Sequence, residues 1–189
     1  MDERPEPKHL ETAQKTGLVV VITGNGKGKT TSALGIALRA AGHGMKVSFI
    51  QFMKGDIHSG ELDSIKRLSP EVEFHVMGKG FCGIMGDTHK FPEHRDDAQR
   101  AIALAKDKIS SGLYDVVILD EINNSLKLKL VDLDQVLGLL DARPPLLHLV
   151  LTGRDAHPEV VFRAHTVSEV REVKHAYRQG IEPQKGIDY

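Results

Sequence analysis

"LVVVITGNGKGKTT", residues 18–31, decides the fold, because a buried strand and an anion-holding turn follow each other without a gap. Its first six residues are a short, largely β-branched apolar run, as expected of a strand covered on both faces. Three glycines then alternate with polar residues: Gly24, Gly26 and Gly28. Backbone N–H groups converge on anionic oxygens only where φ is free to reach values barred to other residues, and glycine supplies that freedom. The helix that follows points its free N–H groups and its partial positive charge at the same place. Lys29 adds a point charge, and the Thr30 hydroxyl is placed to reach a magnesium ion. Asn25, Lys27 and Thr31 complete a phosphate-binding loop. The strict template begins with glycine, whereas this one begins with Thr23.

Working outward, Leu34, Ala37, Leu38 and Ala41 form a helical stripe that ends at "GHG" (42–44). "KVSFIQF" (46–52) and "VEFHV" (72–76) read as strands, with a short helix over 60–69 between them. Ala98, Ile102, Ala105 and Ile109 mark a helix from about Pro92 to Ser111. "YDVVILDE" (114–121) and "LLHLVLTG" (146–153) are further buried strands. Between them Asp132 and Gln135 suit a capping box ahead of Leu133, Val136, Leu137 and Leu140. Pro158 suits the first turn of a short helix, and "TVSEVREVKHAY" (166–177) alternates like a last strand. Strand and helix thus alternate, which predicts an α/β fold: a mostly parallel sheet with helices on both faces, of the P-loop NTPase (RecA-like) class. Ligands in such folds bind beyond the carboxyl ends of the strands. One domain over 18–189 is expected, behind a polar, flexible segment over 1–17.

At the end of "VVILDE" (116–121), Asp120 and Glu121 emerge at the same edge of the sheet as the loop. Carboxylates there suit Mg²⁺, which prefers oxygen ligands and keeps several waters. Thr30, Asp120 and Glu121 are therefore the candidate metal ligands. Loop and acids together imply a nucleoside triphosphate and magnesium without saying which bond breaks. The same cradle serves phosphoryl transfer or a departing triphosphate.

The net charge of −1 and the 5% aromatic content give no sign of nucleic acid or an anionic membrane surface. The single cysteine, Cys82, excludes a disulfide framework and a four-cysteine zinc site. The spacing of His89 and His94, with Pro92 between them, matches no strong zinc motif. No apolar run approaches a membrane span or a secretory signal, so a cytoplasmic protein is expected.

"TGNGKGKTT" (23–31), "VILDEIN" (117–123) and the final "GIDY" (186–189) closely resemble the ATP:corrinoid adenosyltransferases of the CobA/CobO/BtuR type. "RAAGHG" (39–44), "QFMKG" (51–55), "LTGR" (151–154) and "VSEVREVKHAYRQGI" (167–181) extend the resemblance over nearly the whole chain. It implies transfer of the 5′-deoxyadenosyl group of ATP to reduced corrinoid cobalt, with release of triphosphate. Co(I) is itself the nucleophile, so no general base is required, only alignment and a stabilised leaving group.

Carried over by position, the resemblance gives Lys29, Thr30 and Glu121 catalytic roles. ATP contacts fall on Gly24 to Thr31, Arg39 and Arg154, with "QFMKG" as a further candidate segment. Corrinoid contacts fall on Phe81 and Gly83 within "GKGFCGIMG" (78–86), where some relatives carry Trp at the position of Gly83. A homodimer, Mg²⁺ or Mn²⁺, and a flavoprotein reductant are also implied. Two rivals share the cradle: a kinase or ATPase acting on the terminal phosphate, and a nucleotide-dependent regulatory module.

Overall fold

The computed structural model describes residues 15–54, 58–80, 82 and 89–189. Strands β1 (Val19–Thr23), β2 (Val47–Gln51), β3 (Val72–Val76), β4 (Val116–Asp120), β5 (His148–Thr152) and β6 (Thr166–Glu169) form one sheet in the order β3-β2-β4-β5-β1-β6. Every pairing is parallel. The helices are α1 (Lys29–Gly42), α2 (Glu61–Ser64), α3 (Phe91–Ser110), α4 (Ile122–Lys127), α5 (Leu133–Asp141) and α6 (Pro158–Arg163). None among the described residues is long and apolar enough to cross a membrane.

Alternation along the central strands builds two cores. Val117, Leu119, Leu149 and Leu151 face Ala98, Ile102, Ala105 and Ile109 of α3, together with residues of α5 and α6. Val116, Ile118 and Val150 face α1. Helices on both faces thus follow from apolar residues on both faces of each central strand.

Some expectations shift in detail. The α1 stripe is rotated by one position, since Ala33, Ala37 and Ala40 are buried while Leu38 is 59% exposed. Small side chains let that helix lie close on the sheet, and the leucines take its flanks. The helix expected over 60–69 is one α turn, α2, continued by a 3-10 turn at Ile65–Leu68. Helix α4, absent from the sequence reading, begins directly after the acids of β4. The last strand stops at Glu169 rather than running to 177. Its one neighbour, β1, ends at Thr23, where Gly24 turns away with φ of 98°, so nothing remains to pair with.

Of the segment expected to be flexible, residues 1–14 lie outside the described residues. Gly17 is anchored, donating to the Pro145 carbonyl at 2.6 Å, while its own carbonyl accepts from Arg143 at 3.0 Å.

Candidate active site

Beyond the carboxyl ends of β1, β4 and β5 lies a cavity of about 710 Å³. Asn25 to Thr31 form one wall, Glu121 lies at the floor, and Arg154, His175 and residues 186–189 form the rim. Lys54 and Glu61, ion-paired at 3.0 Å, line it as well.

The loop's shape rests on two close approaches. A Cβ on Gly24 would lie 2.4 Å from the Val170 carbonyl oxygen, and one on Gly26 would lie 2.7 Å from the Arg171 backbone. The Gly26 N–H donates to the Val170 carbonyl at 2.7 Å. These two glycines therefore admit the segment after β6 beside the loop. Gly28, at φ of 113°, turns the chain into α1. Lys29 is buried, and its Nζ donates back to the Gly26 carbonyl at 2.9 Å. Loss of solvent holds its pKa below the usual lysine value, against the pull of Glu121.

Asp120 is 1% exposed and accepts hydrogen bonds from three side chains. Thr30 donates to Oδ1 at 3.0 Å, Gln51 Nε2 to Oδ2 at 3.2 Å, and Thr152 to Oδ1 at 2.6 Å. Burial raises its pKa and these donors oppose the rise. Glu121 differs. It sits in the left-handed region at φ of 64°, and its Oε2 is buried without a hydrogen-bond partner. Burial, reinforced by Asp120, pushes its pKa up to about 7. A buried carboxylate oxygen without a donor, beside a hydroxyl and a second carboxylate, suits a divalent cation that takes few protein oxygens and keeps its waters. Among the described residues no group of three or more His, Cys, Asp and Glu side chains could hold a metal. Any such ion therefore relies on phosphate and water for its remaining ligands.

The structure brings Lys29, Thr30, Asp120 and Glu121 together, with Arg154 at the rim. Arg39 stands apart: it is exposed in the last turn of α1 and does not line the cavity. Phe81 and Gly83 lie outside the described residues, although Cys82 between them is half-buried on the cavity wall. His94 is buried, its ring edge-on to that of His89 at 5.8 Å. Sequence reasoning missed Gln51 and Thr152 as partners of Asp120. The available signal was a polar residue closing an apolar strand at the level of the acids, since Leu119 pairs with Leu151 one step earlier.

Residues 15–189 match the family described as ATP:corrinoid adenosyltransferase BtuR/CobO/CobP. The chain belongs to this family. It is 40% identical over 186 residues to a corrinoid adenosyltransferase of Pseudomonas aeruginosa, covering 97% of this chain and 89% of that one. It is 37% identical over 190 residues to the corrinoid adenosyltransferase CobA of Salmonella typhimurium, covering 99% and 93%. A KaiC-like protein of Pyrococcus horikoshii shares the fold, with TM-score 0.52 and 15% identity over 82% of this chain and 73% of that one. Family membership carries adenosyl transfer from ATP to a corrinoid and favours that reading over the kinase, ATPase and regulatory alternatives.

Proposed function

We propose that the chain moves the 5′-deoxyadenosyl group of ATP to the Co(I) of cob(I)alamin or cob(I)yrinic acid a,c-diamide and releases triphosphate as one leaving group. The observation that carries this reading is the pairing of loop and acids across one cavity, in a chain of this family. Lys29 meets the triphosphate as the main charge, leaving its tether to the Gly26 carbonyl. The N–H groups of residues 27–31 and the α1 N-terminus face the same oxygens. Arg154 approaches from the rim.

The Thr30 hydroxyl and Glu121, with Asp120 behind them, would hold Mg²⁺ or Mn²⁺, which neutralises charge on the triphosphate when bound. Thr30 directs its proton to Asp120, so its lone pairs are left to face a cation. Glu121 would hold such a cation as the carboxylate, its buried Oε2 having no hydrogen-bond donor. The corrinoid docks on the side of Cys82, with Phe81 and Gly83 as its contacts. Cobalt is already the nucleophile, so these residues align the ribose 5′ carbon and stabilise the leaving group. A flavoprotein is the class of donor that would keep cobalt reduced. We place the reaction in the cytoplasm, on a homodimer; the position of β6 at one end of the sheet and the exposed Val173 and Tyr177 in the segment that follows it support a subunit contact.

The test is incubation with ATP, Mg²⁺ and chemically reduced cobalamin, following the corrinoid spectrum and the phosphate product. Triphosphate formed in step with a cobalt–carbon bond is expected. Orthophosphate released without any need for corrinoid would overturn the reading and return the terminal-phosphate alternative.

A further inference from the structure

Consecutive acids at a strand end are not by themselves a defined site. Asp120 points back among buried donors, whereas Glu121 must be turned out of the strand to face the cavity. That turn places a non-glycine residue at φ of 64°, a conformation that side chains disfavour and that persists only where its surroundings enforce it.

The enforcing contacts come from the end of β5. The buried Thr152 hydroxyl accepts the Glu121 N–H at 3.0 Å. Its single proton goes to Asp120 Oδ1 at 2.6 Å. One hydroxyl thereby holds the backbone of one acid and the carboxylate of the other. The next two residues close on the same turn. Gly153 lies so near that an added Cβ would stand 2.9 Å from both Asn123 Cβ and Asn124 N. The Arg154 N–H donates to Asn124 Oδ1. On the opposite side the Gly153 N–H donates to the Ile22 carbonyl of β1 at 3.2 Å. Residues 152–154 thus bracket the acid-bearing turn against the strand that leads into the phosphate loop.

We propose that Thr152 is a positioning residue, fixing the left-handed turn that presents Glu121 to a divalent cation on the nucleotide. This rests on the reading under Proposed function, and it names the part of the fold that sets the distance between acid and loop. Thr152 is buried and does not line the cavity, so its influence passes through Asp120 and Glu121.

The test compares Thr152→Val, which keeps the shape and loses the hydroxyl, with Thr152→Ser, which keeps the hydroxyl. Mn²⁺ is the probe, titrated by electron paramagnetic resonance into protein with ATP, and ATP binding is also measured without metal. Thr152→Val is expected to weaken Mn²⁺ about tenfold or more, as loss of a partner behind a ligand does. ATP affinity without metal should stay within about twofold, and Thr152→Ser should restore Mn²⁺ affinity to within about threefold. In the unsubstituted protein the Glu121 amide should exchange with solvent far more slowly than amides of the neighbouring loops. That measurement, together with Thr152→Ser, decides the matter if Thr152→Val does not fold.

A folded Thr152→Val protein binding Mn²⁺ as the parent does, or a fast-exchanging Glu121 amide, would overturn the proposal. Neither readout needs a corrinoid. A parent protein that fails to adenosylate cobalamin therefore sinks the functional reading alone, and a Val variant equal to an active parent sinks this proposal alone.

Discussion

Beneath the floor of the cavity Asp120 accepts hydrogen bonds from three side chains at 1% exposure. On its rim Asp188 meets Lys27 at 2.8 Å, with their side chains 25% and 42% exposed. Both are carboxylates facing loop residues, yet they answer to different physics. A buried carboxylate without its donors bears the full cost of lost solvation, so each floor contact restricts the others. A solvated ion pair is screened, and either partner is readily replaced by water. The floor should therefore tolerate almost no substitution, and Asp188 on the rim almost any.

The comparison breaks first at Lys29. Lys29→Ala should lower kcat/KM for adenosyl transfer by about a thousandfold, as loss of a preorganised charge on a leaving group does. Its melting temperature should hold or rise, because the buried cation is already disfavoured by desolvation. Paired kinetic and thermal measurements check this, and activity within tenfold of the parent would place Lys29 with the rim. Glu121→Gln should cost about a hundredfold in kcat, on the order of 3 kcal/mol of transition-state stabilisation.

The raised pKa of Glu121 gives the same floor a pH signature. Between the ordinary glutamate value and about 7 the folded protein holds a proton that the unfolded chain has lost. Stability of the nucleotide-free protein therefore falls as pH rises across that window and levels off above it, by roughly 3–4 kcal/mol in total. Glu121→Gln should flatten the slope in urea titrations from pH 5 to 8. Mg·ATP should also bind more tightly as pH rises through 7, because binding expels that proton.

Rim effects are smaller. Asp188→Asn should lower KM for ATP by about two- to threefold, since Lys27 is freed and one repelling charge leaves the phosphate path. The change should fade in high salt, which initial rates at two ionic strengths would detect. Arg39→Ala, outside the cavity, should leave both kcat and KM within about 1.5-fold of the parent.

Much of this was legible in the residues themselves, and the exceptions have definite causes. The face of α3 was readable because Ala98, Ile102, Ala105 and Ile109 repeat at helical spacing. The face of α1 was misread by one step because its contacts are alanines, which patterning weighs below Leu34 and Leu38. Lys29, Thr30 and the two acids announced themselves by type and place. The left-handed turn at Glu121 did not, since a backbone angle imposed by a neighbouring strand leaves no mark in local sequence. Thr152 and Gln51 stayed hidden for a related reason: their role depends on which strands flank β4, and strand order is not written in the alternation of elements. The contact of Val170 with the phosphate loop joins distant parts of the chain that no local pattern links.

The placement of β1 between β5 and β6 also bears on how the protein comes into being. Strand β1 leaves the ribosome well before its partners, which begin at Leu149 and Thr166. At about 5–20 residues per second, that is a wait on the order of ten seconds. Through all of it the nascent chain carries the complete loop sequence without the Val170 carbonyl that shapes Gly26. Grip on a triphosphate therefore arrives long after the loop is made, and a fragment released before Val170 would be unable to sequester ATP.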